Sequence, residues 1–395
     1  MKKAFLLGAG ASVDAGLPTS VQLTRRISDS IDEKYQYRTL ARVLHVVIGA
    51  LVQHDTGLGG KAFDGVDVER VFAAVRSLEH RRSLDLAAFI GSWNRNVEAM
   101  SDSSSMPSGW GREFMKALSD QHFAARNVEK AFVAGVKAVT QGSSDRTFQR
   151  LQAAMLDALV EILRVDPNRV DYLKPIVTAK DLVGIATLNY DRSLELACDA
   201  AEVTHDTGFS AWRGGYDWNW NGIRDVRLLK VHGSLDWTMS SLQRDGMRVR
   251  GDSLSQLGES ANASNAVNGQ PAVVFGHGSK LRADGPFLAM LVELDRMLAT
   301  TEWLTIIGYS YRDDHINAAI ARWLNSSVAS RLTMIDKNER TWEFVSYPPT
   351  FAREVLSGIK GGEQLGQKKR PPLTHDVIVE SAAVGLSQIA AELAT

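Results

Sequence analysis

A short apolar run at residues 4–7 breaks directly into Gly8-Ala9-Gly10-Ala11-Ser12, and helix-compatible sequence follows. That order reads as a buried parallel strand, a tight turn and a helix start. Residues 182–187, Leu-Val-Gly-Ile-Ala-Thr, repeat it with a polar turn and a helix that begins near Asp191. Further strands are expected at 226–231, 272–275, 304–307 and 332–335, alternating with helical patterns over 286–299 and 313–325. The alternation predicts an α/β fold, a Rossmann-like doubly wound parallel sheet.

Between about residues 20 and 180 the apolar spacing changes to that of helices, as in Val68, Val71, Phe72 and Val75, or Leu151, Met155, Ala158, Leu159 and Ile162. This predicts a large, mainly helical insertion at 25–180, which splits the sheet domain into 1–24 and 181–395. Ser-, Pro- and Gly-rich stretches at 101–111 and 251–270 read as loops, and a last helix is expected between 378 and 393. No internal repeat of solenoid length is present.

At 395 residues and 44% hydrophobic content the chain is long enough for two domains. A formal net charge of -1 gives no global attraction to nucleic acid or anionic membrane, so no direct nucleic-acid binding is expected. The single cysteine, Cys198, excludes an intrachain disulfide and a four-thiolate zinc site, and fits a reducing cytoplasm. The apolar start is too short for a signal peptide, and no run of about 20 apolar residues predicts a membrane span.

The candidate chemistry sits just past the expected strands. Glycines in the first turn permit close approach of a pyrophosphate, and the helix start offers amide donors; the same turn also serves as a plain packing corner. Thr187-Leu188-Asn189-Tyr190-Asp191 places an amide and a carboxylate where open α/β sheets bind ligands, although Asp191 also suits a helix cap and Asn189 a turn. Lys230-Val231-His232-Gly233-Ser234 offers an imidazole suited to proton transfer, or a structural histidine. Gly308-Tyr309-Ser310 follows another strand, and Asp336 ends a further one, where an acid bonds ribose hydroxyls or caps a turn. Trp212, Trp218 and Trp220 read as an aromatic cluster burying itself in a loop, and 368–370, Lys-Lys-Arg, as a solvated segment.

Taken together, these motifs resemble the sirtuin family. Gly8 to Ser12 with Gly16-Leu17-Pro18 is similar to its Gly-Ala-Gly-x-Ser and Gly-x-Pro pattern, residues 187–191 to its Thr-Gln-Asn-x-Asp segment, and His232-Gly233 to its His-Gly. The Asn-Tyr-Asp, His-Gly-Ser and Gly-Tyr-Ser-x-x-Asp patterns are closest to bacterial sirtuin-like effectors of antiphage defence, such as those paired with a HerA-type ATPase. The resemblance covers about the first twenty residues and 181–338, and not the helical insertion. It implies NAD as substrate, no metal, and cleavage of the nicotinamide-ribose bond to nicotinamide and ADP-ribose.

By the same resemblance Gly8, Ala9, Gly10, Ala11, Ser12 and Pro18 belong to the cofactor-binding loop, with Gly8 to Ser12 around the pyrophosphate. Asp191 contacts the carboxamide, Asn189 positions water or ribose, His232 serves the ribose hydroxyls, and Gly308, Ser310 and Asp336 hold the adenosine half. Deacetylating sirtuins follow the proline with Phe-Arg and carry a four-cysteine zinc module. Here Thr19-Ser20 follows Pro18 and Cys198 stands alone, which points away from an acyl-lysine groove and toward hydrolysis. The resemblance further implies a homo-oligomer, or a HerA-type hexameric ATPase or Argonaute-like partner, with the insertion as assembly surface. Competing readings are an NAD-dependent deacylase or ADP-ribosyl transferase, and a non-catalytic NAD or ADP-ribose-binding scaffold.

Overall fold

The computed structural model describes residues 1–59, 65–81, 84, 147–208, 212, 218, 220, 225–239, 243–245, 248–250, 254–256, 271–273, 287–337 and 373–395. Strands β1 (Lys3–Leu7), β2 (Leu182–Thr187), β3 (His205–Asp206) and β4 (Val226–Lys230) come first. They are followed by the short β5 (Gly233–Met239), β6 (Gln243–Asp245), β7 (Arg248–Arg250), β8 (Leu254–Gln256) and β9 (Pro271–Val273), then β10 (Trp303–Ile307), β11 (Arg331–Ile335) and β12 (Thr374–Ile378). The helices are α1 (Ser20–Glu33), α2 (Arg38–Gly57), α3 (Val68–Glu79), α4 (Thr147–Ile162), α5 (Lys174–Val177), α6 (Ser193–Ala200), α7 (Phe287–Ala299), α8 (Asp314–Leu324) and α9 (Ala382–Leu393).

Seven strands form one parallel, Rossmann-like sheet in the order β12-β11-β10-β1-β2-β4-β3. From β1 the chain winds one way through β2 and the other way through β10, so the topological switch lies between β1 and β10. Crevices that hold ligands open there, beyond the carboxyl ends of the strands. The register makes that edge flush, because Leu7 pairs with both Thr187 and Ile307, Thr187 with Lys230, Ile307 with Ile335, and Ile335 with Ile378. The central β1 and β10 are buried at every residue, as continuous apolar runs covered on both faces must be.

One face carries α7 and α8 over Leu6, Ala186, Leu304 and Leu332. The other carries α5, α6 and α9 over Phe5, Leu7, Ile185 and Ile307. Trp212 and Trp218 are buried in the first of these cores with ring centroids 6.2 Å apart, and Trp220 donates to Glu293 Oε1 at 2.7 Å. Their aromatic surface is thus satisfied within the fold.

Helices α1 to α4 enclose a third core built on Ile27, Ile31, Val43, Leu44, Phe72, Val75, Phe148, Leu151 and Leu159. Thr19 and Gln22 cap α1 reciprocally, with Thr19 N–H donating to Gln22 Oε1 at 3.0 Å, and Asp67 caps α3 by accepting from Glu69 N–H at 2.8 Å. Leu17, Tyr190 and Leu235 join this core from the sheet side, so the two bodies meet around residues that flank the candidate motifs.

Helix α1 contributes Leu23, Ile27 and Ile31 to the helical core, whereas Val170, Leu173, Ile176 and Val177 pack on the sheet. Much of the expected insertion, residues 82–83 and 85–146, lies outside the described residues, as do the loop at 101–111, the basic run at 368–370 and most of 251–270. The strand expected at 272–275 does not join the parallel sheet. Its described part, in β9, pairs antiparallel with β5. Among the described residues no helix is long and apolar enough to cross a membrane.

The loops after β1 and β10 touch backbone to backbone. Gly308 has φ +58, and a Cβ there would lie 2.3 Å from Ala11 N; one on Gly8 would lie 2.6 Å from Gly308 O. Replacing Gly308 by alanine therefore forces a left-handed residue into a space with no room. Gly308→Ala is expected to lower stability by about 2 kcal/mol or more. An unchanged urea midpoint would show that the two loops do not pack this way.

Candidate functional site

A cavity of about 500 Å³ opens at the flush edge, within the size range of small-ligand pockets. Every residue singled out from the sequence lines it except Ala11, which is 1% exposed and packs into the core beneath. Gly8, Ala9, Gly10 and Ser12 come from the turn after β1, Asn189 and Asp191 from the loop after β2, and His232 from the turn after β4. Gly308 and Ser310 follow β10, and Asp336 follows β11. The helical body closes the other side with Pro18, Thr19, Ser20, Asp67, Glu69 and Leu163.

Hydrogen bonds fix how Asn189 presents itself. Its Nδ2 donates to Gly8 O at 2.9 Å and to Ser12 Oγ at 2.9 Å. A carbonyl only accepts, so the amide has one possible orientation. Both Nδ2 hydrogens are engaged, and Oδ1 is left as the acceptor at the cavity wall. The Ser12 hydroxyl passes the chain on, donating to Asp191 Oδ2 at 2.9 Å.

Asp191 fills two roles that the sequence offered as alternatives. Its Oδ1 accepts from Ser193 N–H at 2.9 Å at the start of α6, and its Oδ2 lines the cavity network through Ser12. Its backbone carbonyl accepts from Lys230 Nζ at 2.7 Å. That buried lysine is held in turn by Glu195 Oε1 at 2.7 Å. The last residue of β4 therefore pins the loop after β2.

The glycine turn differs from the simple phosphate cradle expected of it. Gly8 N–H donates to Ile307 O, Gly10 N–H to Gly308 O and Ala11 N–H to Gly8 O, each at 2.9 Å. Two of the turn's amides are thereby committed to the end of β10 and the loop after it, and that of Ala11 closes the turn on itself. Two cationic side chains on the wall, Arg312 and Lys337, supply positive charge for an anionic ligand that the sequence reading did not assign. Lys337 directly follows Asp336, and Arg312 lies inside the Gly-Tyr-Ser-x-x-Asp segment, so their place in the motifs was the signal available. Arg312 Nη1 also pairs with Asp67 Oδ2 at 3.2 Å, across the junction with the helical body.

The tyrosines here are not bases. Burial, then the charges of Glu69, Asp313 and Asp67, push the Tyr190 phenol well above its ordinary value, and burial followed by the Asp191 and Asp14 charges raises Tyr172. Tyr190 OH reaches Glu69 Oε1 at 3.4 Å, and Tyr172 OH donates to Ala11 O at 2.6 Å. Tyr309, also raised by burial, donates to Asn317 Oδ1 at 3.0 Å and accepts from Asp313 N–H at 3.2 Å, tying the Gly308 loop to α8. His232 is 2% exposed, with Nε2 3.4 Å from His315 Nε2.

Residues 183–354 match the family model of the SIR2-like domain, which supports a sirtuin-like family and an NAD-utilising enzyme. No curated protein matches the chain by sequence. Similar solved structures include one described under the structural basis for the mechanism and regulation of Sir2 enzymes, at 13% identity, covering 99% of this chain and 92% of that one with a TM-score of 0.36. Others are Sir2Tm bound to a propionylated peptide, at 10% identity, 99% and 92% coverage and TM-score 0.37, and a Sir2 homologue mutant in complex with ADP-ribose, with the same four values.

The Ser12 hydroxyl hydrogen-bonds to both Asn189 and Asp191. Ser12→Ala leaves a carboxylate oxygen and an amide hydrogen without this partner, and is expected to cost about 1–3 kcal/mol of stability. Chemical denaturation measures it; a loss below a few tenths would remove the bridge from the argument.

Proposed function

We propose that this chain hydrolyses NAD at the nicotinamide-ribose bond. The observation that carries the proposal is Asn189, which lines the cavity and whose two Nδ2 hydrogens are engaged by Gly8 and Ser12, so that Oδ1 remains as its acceptor. An acceptor there suits a water to be aimed at the ribose, and its partial negative charge suits the cationic ribose of an oxocarbenium-like transition state. The SIR2-like match over 183–354 supports NAD as the substrate.

In the reaction the bond between the nicotinamide nitrogen and the ribose C1′ breaks with its electron pair leaving on nitrogen, so a cationic ring departs as neutral nicotinamide. Water adds to C1′ and one proton is released. Asp191 is assigned to the carboxamide, Asn189 to water or ribose, and His232 to the ribose hydroxyls and the proton. The turn at Gly8, Ala9, Gly10 and Ser12, with Pro18, borders the pyrophosphate, assisted by Arg312 and Lys337. Gly308, Ser310 and Asp336 border the adenosine half. Asp67, Glu69 and Asp313, carboxylates on the same wall, favour a cationic transition state over a neutral one. Most of the acceleration then comes from positioning and electrostatics.

The resemblance to antiphage effectors extends the proposal to a defence role, in which NAD is depleted only once the protein is activated. Residues 25–180 are the proposed assembly surface, toward further copies of this chain or toward a HerA-type ATPase or Argonaute-like partner. Thr19-Ser20 after Pro18 favours hydrolysis over deacylation.

The direct test is nicotinamide release from NAD by purified protein over a range of protein concentrations. Asn189→Ala and His232→Ala are each expected to lower it by on the order of 10²-fold or more, with NAD binding by calorimetry retained. Binding without release at any concentration would favour the scaffold instead.

A further inference from the structure

Histidine 232 is almost fully buried, yet NAD hydrolysis sets a proton free, and a group that takes up that proton has to pass it on before the next turnover. Among the described residues, the imidazole that the structure places against it is that of His315. The two Nε2 atoms are 3.4 Å apart, with ring centroids 5.5 Å apart and planes inclined by 49°. His315 is the second residue of α8 and is half-buried, so it stands between the buried imidazole and the outside. The helix start is held in place by the Tyr309–Asn317 hydrogen bond, and Asn317 Nδ2 also donates to Tyr311 O at 2.8 Å.

Two facing Nε2 atoms form a hydrogen bond only when one carries a proton and the other a lone pair. The pair therefore titrates as a unit, and one extra proton is accommodated while two are not. We propose that His315 is a positioning and proton-relay residue for His232, holding its ring by the Nε2–Nε2 contact and carrying the proton released by hydrolysis to solvent. The inference rests on the hydrolase reading above. In the relay, His232 accepts the proton at Nδ1 and gives its Nε2 proton to Nε2 of His315, which then loses its own Nδ1 proton to water; a turn of both rings restores the starting tautomers before the next cycle. The start of α8 disfavours a lasting positive charge on His315, which helps release the proton outward. Asp313 and Asp314 adjoin His315 in sequence, and the charged residues Asp14, Asp67, Glu69, Asp191, Arg312, Asp313, Asp336, Lys337 and Glu380 share the cavity wall with His232.

The test compares wild type with His315→Gln, which keeps a hydrogen-bonding side chain but cannot relay, and with His315→Ala. Both are expected to bind NAD within about twofold of wild type, and to lose roughly tenfold or more in kcat for nicotinamide release, less than direct removal of an acid-base group. The pH profile of His315→Gln is expected to be displaced, and added imidazole to restore part of the kcat of His315→Ala. In proton NMR of labelled histidine, the His232 ring titration is expected to shift in His315→Gln. Wild-type kcat and pH profile in His315→Gln, or no rescue by imidazole, would overturn the relay. An unmoved His232 titration would overturn the pairing whether or not NAD is hydrolysed. If the wild type releases no nicotinamide but the titration moves, the hydrolase reading and the relay fall while the positioning of His232 stands.

Discussion

The close approach of the loops after β1 and β10 is the contact on which the rest depends. Gly10 N–H donates to Gly308 O, and Gly8 N–H to Ile307 O, across a space that admits no Cβ on Gly8, Gly10 or Gly308. This contact sits at the point where strand order reverses, and it brings the two halves of the sheet to a common edge. Because the register is flush, residues one or two positions beyond each strand fall around one opening: Gly8 after Leu7, Asn189 after Thr187, His232 after Lys230, and Gly308 after Ile307. The glycines therefore shape the cavity by letting backbone meet backbone, in addition to bordering it.

Much of this was legible in the sequence for a physical reason. Central strands of a parallel sheet are covered on both faces, so β1, β2, β10 and β11 announced themselves as short, predominantly apolar runs without strict alternation. The edge strand β12 did not, because Thr374–Ile378 is partly exposed along its length and reads as a polar stretch. Strand β3 is two residues long and gives no periodic signal. The helical spacing of Val68, Val71, Phe72 and Val75 located α3, but it could not tell which body residues 167–179 would join, since their short helical turns suit either surface. That assignment came only from Val170, Leu173 and Ile176 lying against the sheet.

Site residues were legible as positions and not as orientations. Spacing placed Asn189 and Asp191 past a strand; it could not show that Ser12, 177 residues away from Asn189 in sequence, would accept from one and donate to the other. Arg312 stood at a variable position of the Gly-Tyr-Ser-x-x-Asp segment, and Glu69 escaped notice because an isolated surface-type residue carries no pattern. Their meaning comes from the junction, where the α3 cap Asp67 pairs with Arg312 and Glu69 meets Tyr190. The same short segment thus starts a helix of the helical body and walls the cavity, so any displacement of α3 acts directly on the cavity wall.

The protonation states of the wall narrow the chemistry further. Burial and neighbouring carboxylates hold the phenols of Tyr190 and Tyr309 in their neutral forms, which leaves them as hydrogen-bonding and packing groups. The carboxylates of Asp67, Glu69, Asp191 and Asp313 supply negative charge, and Arg312 and Lys337 supply positive charge. Among the described wall residues, His232 is the one side chain whose ordinary range spans neutrality and which can both take up and give back a proton there. On the hydrolase reading proposed above, its near-complete burial calls for an exit for that proton, and the described neighbour set against it is His315 at the start of α8, with the two Nε2 atoms 3.4 Å apart.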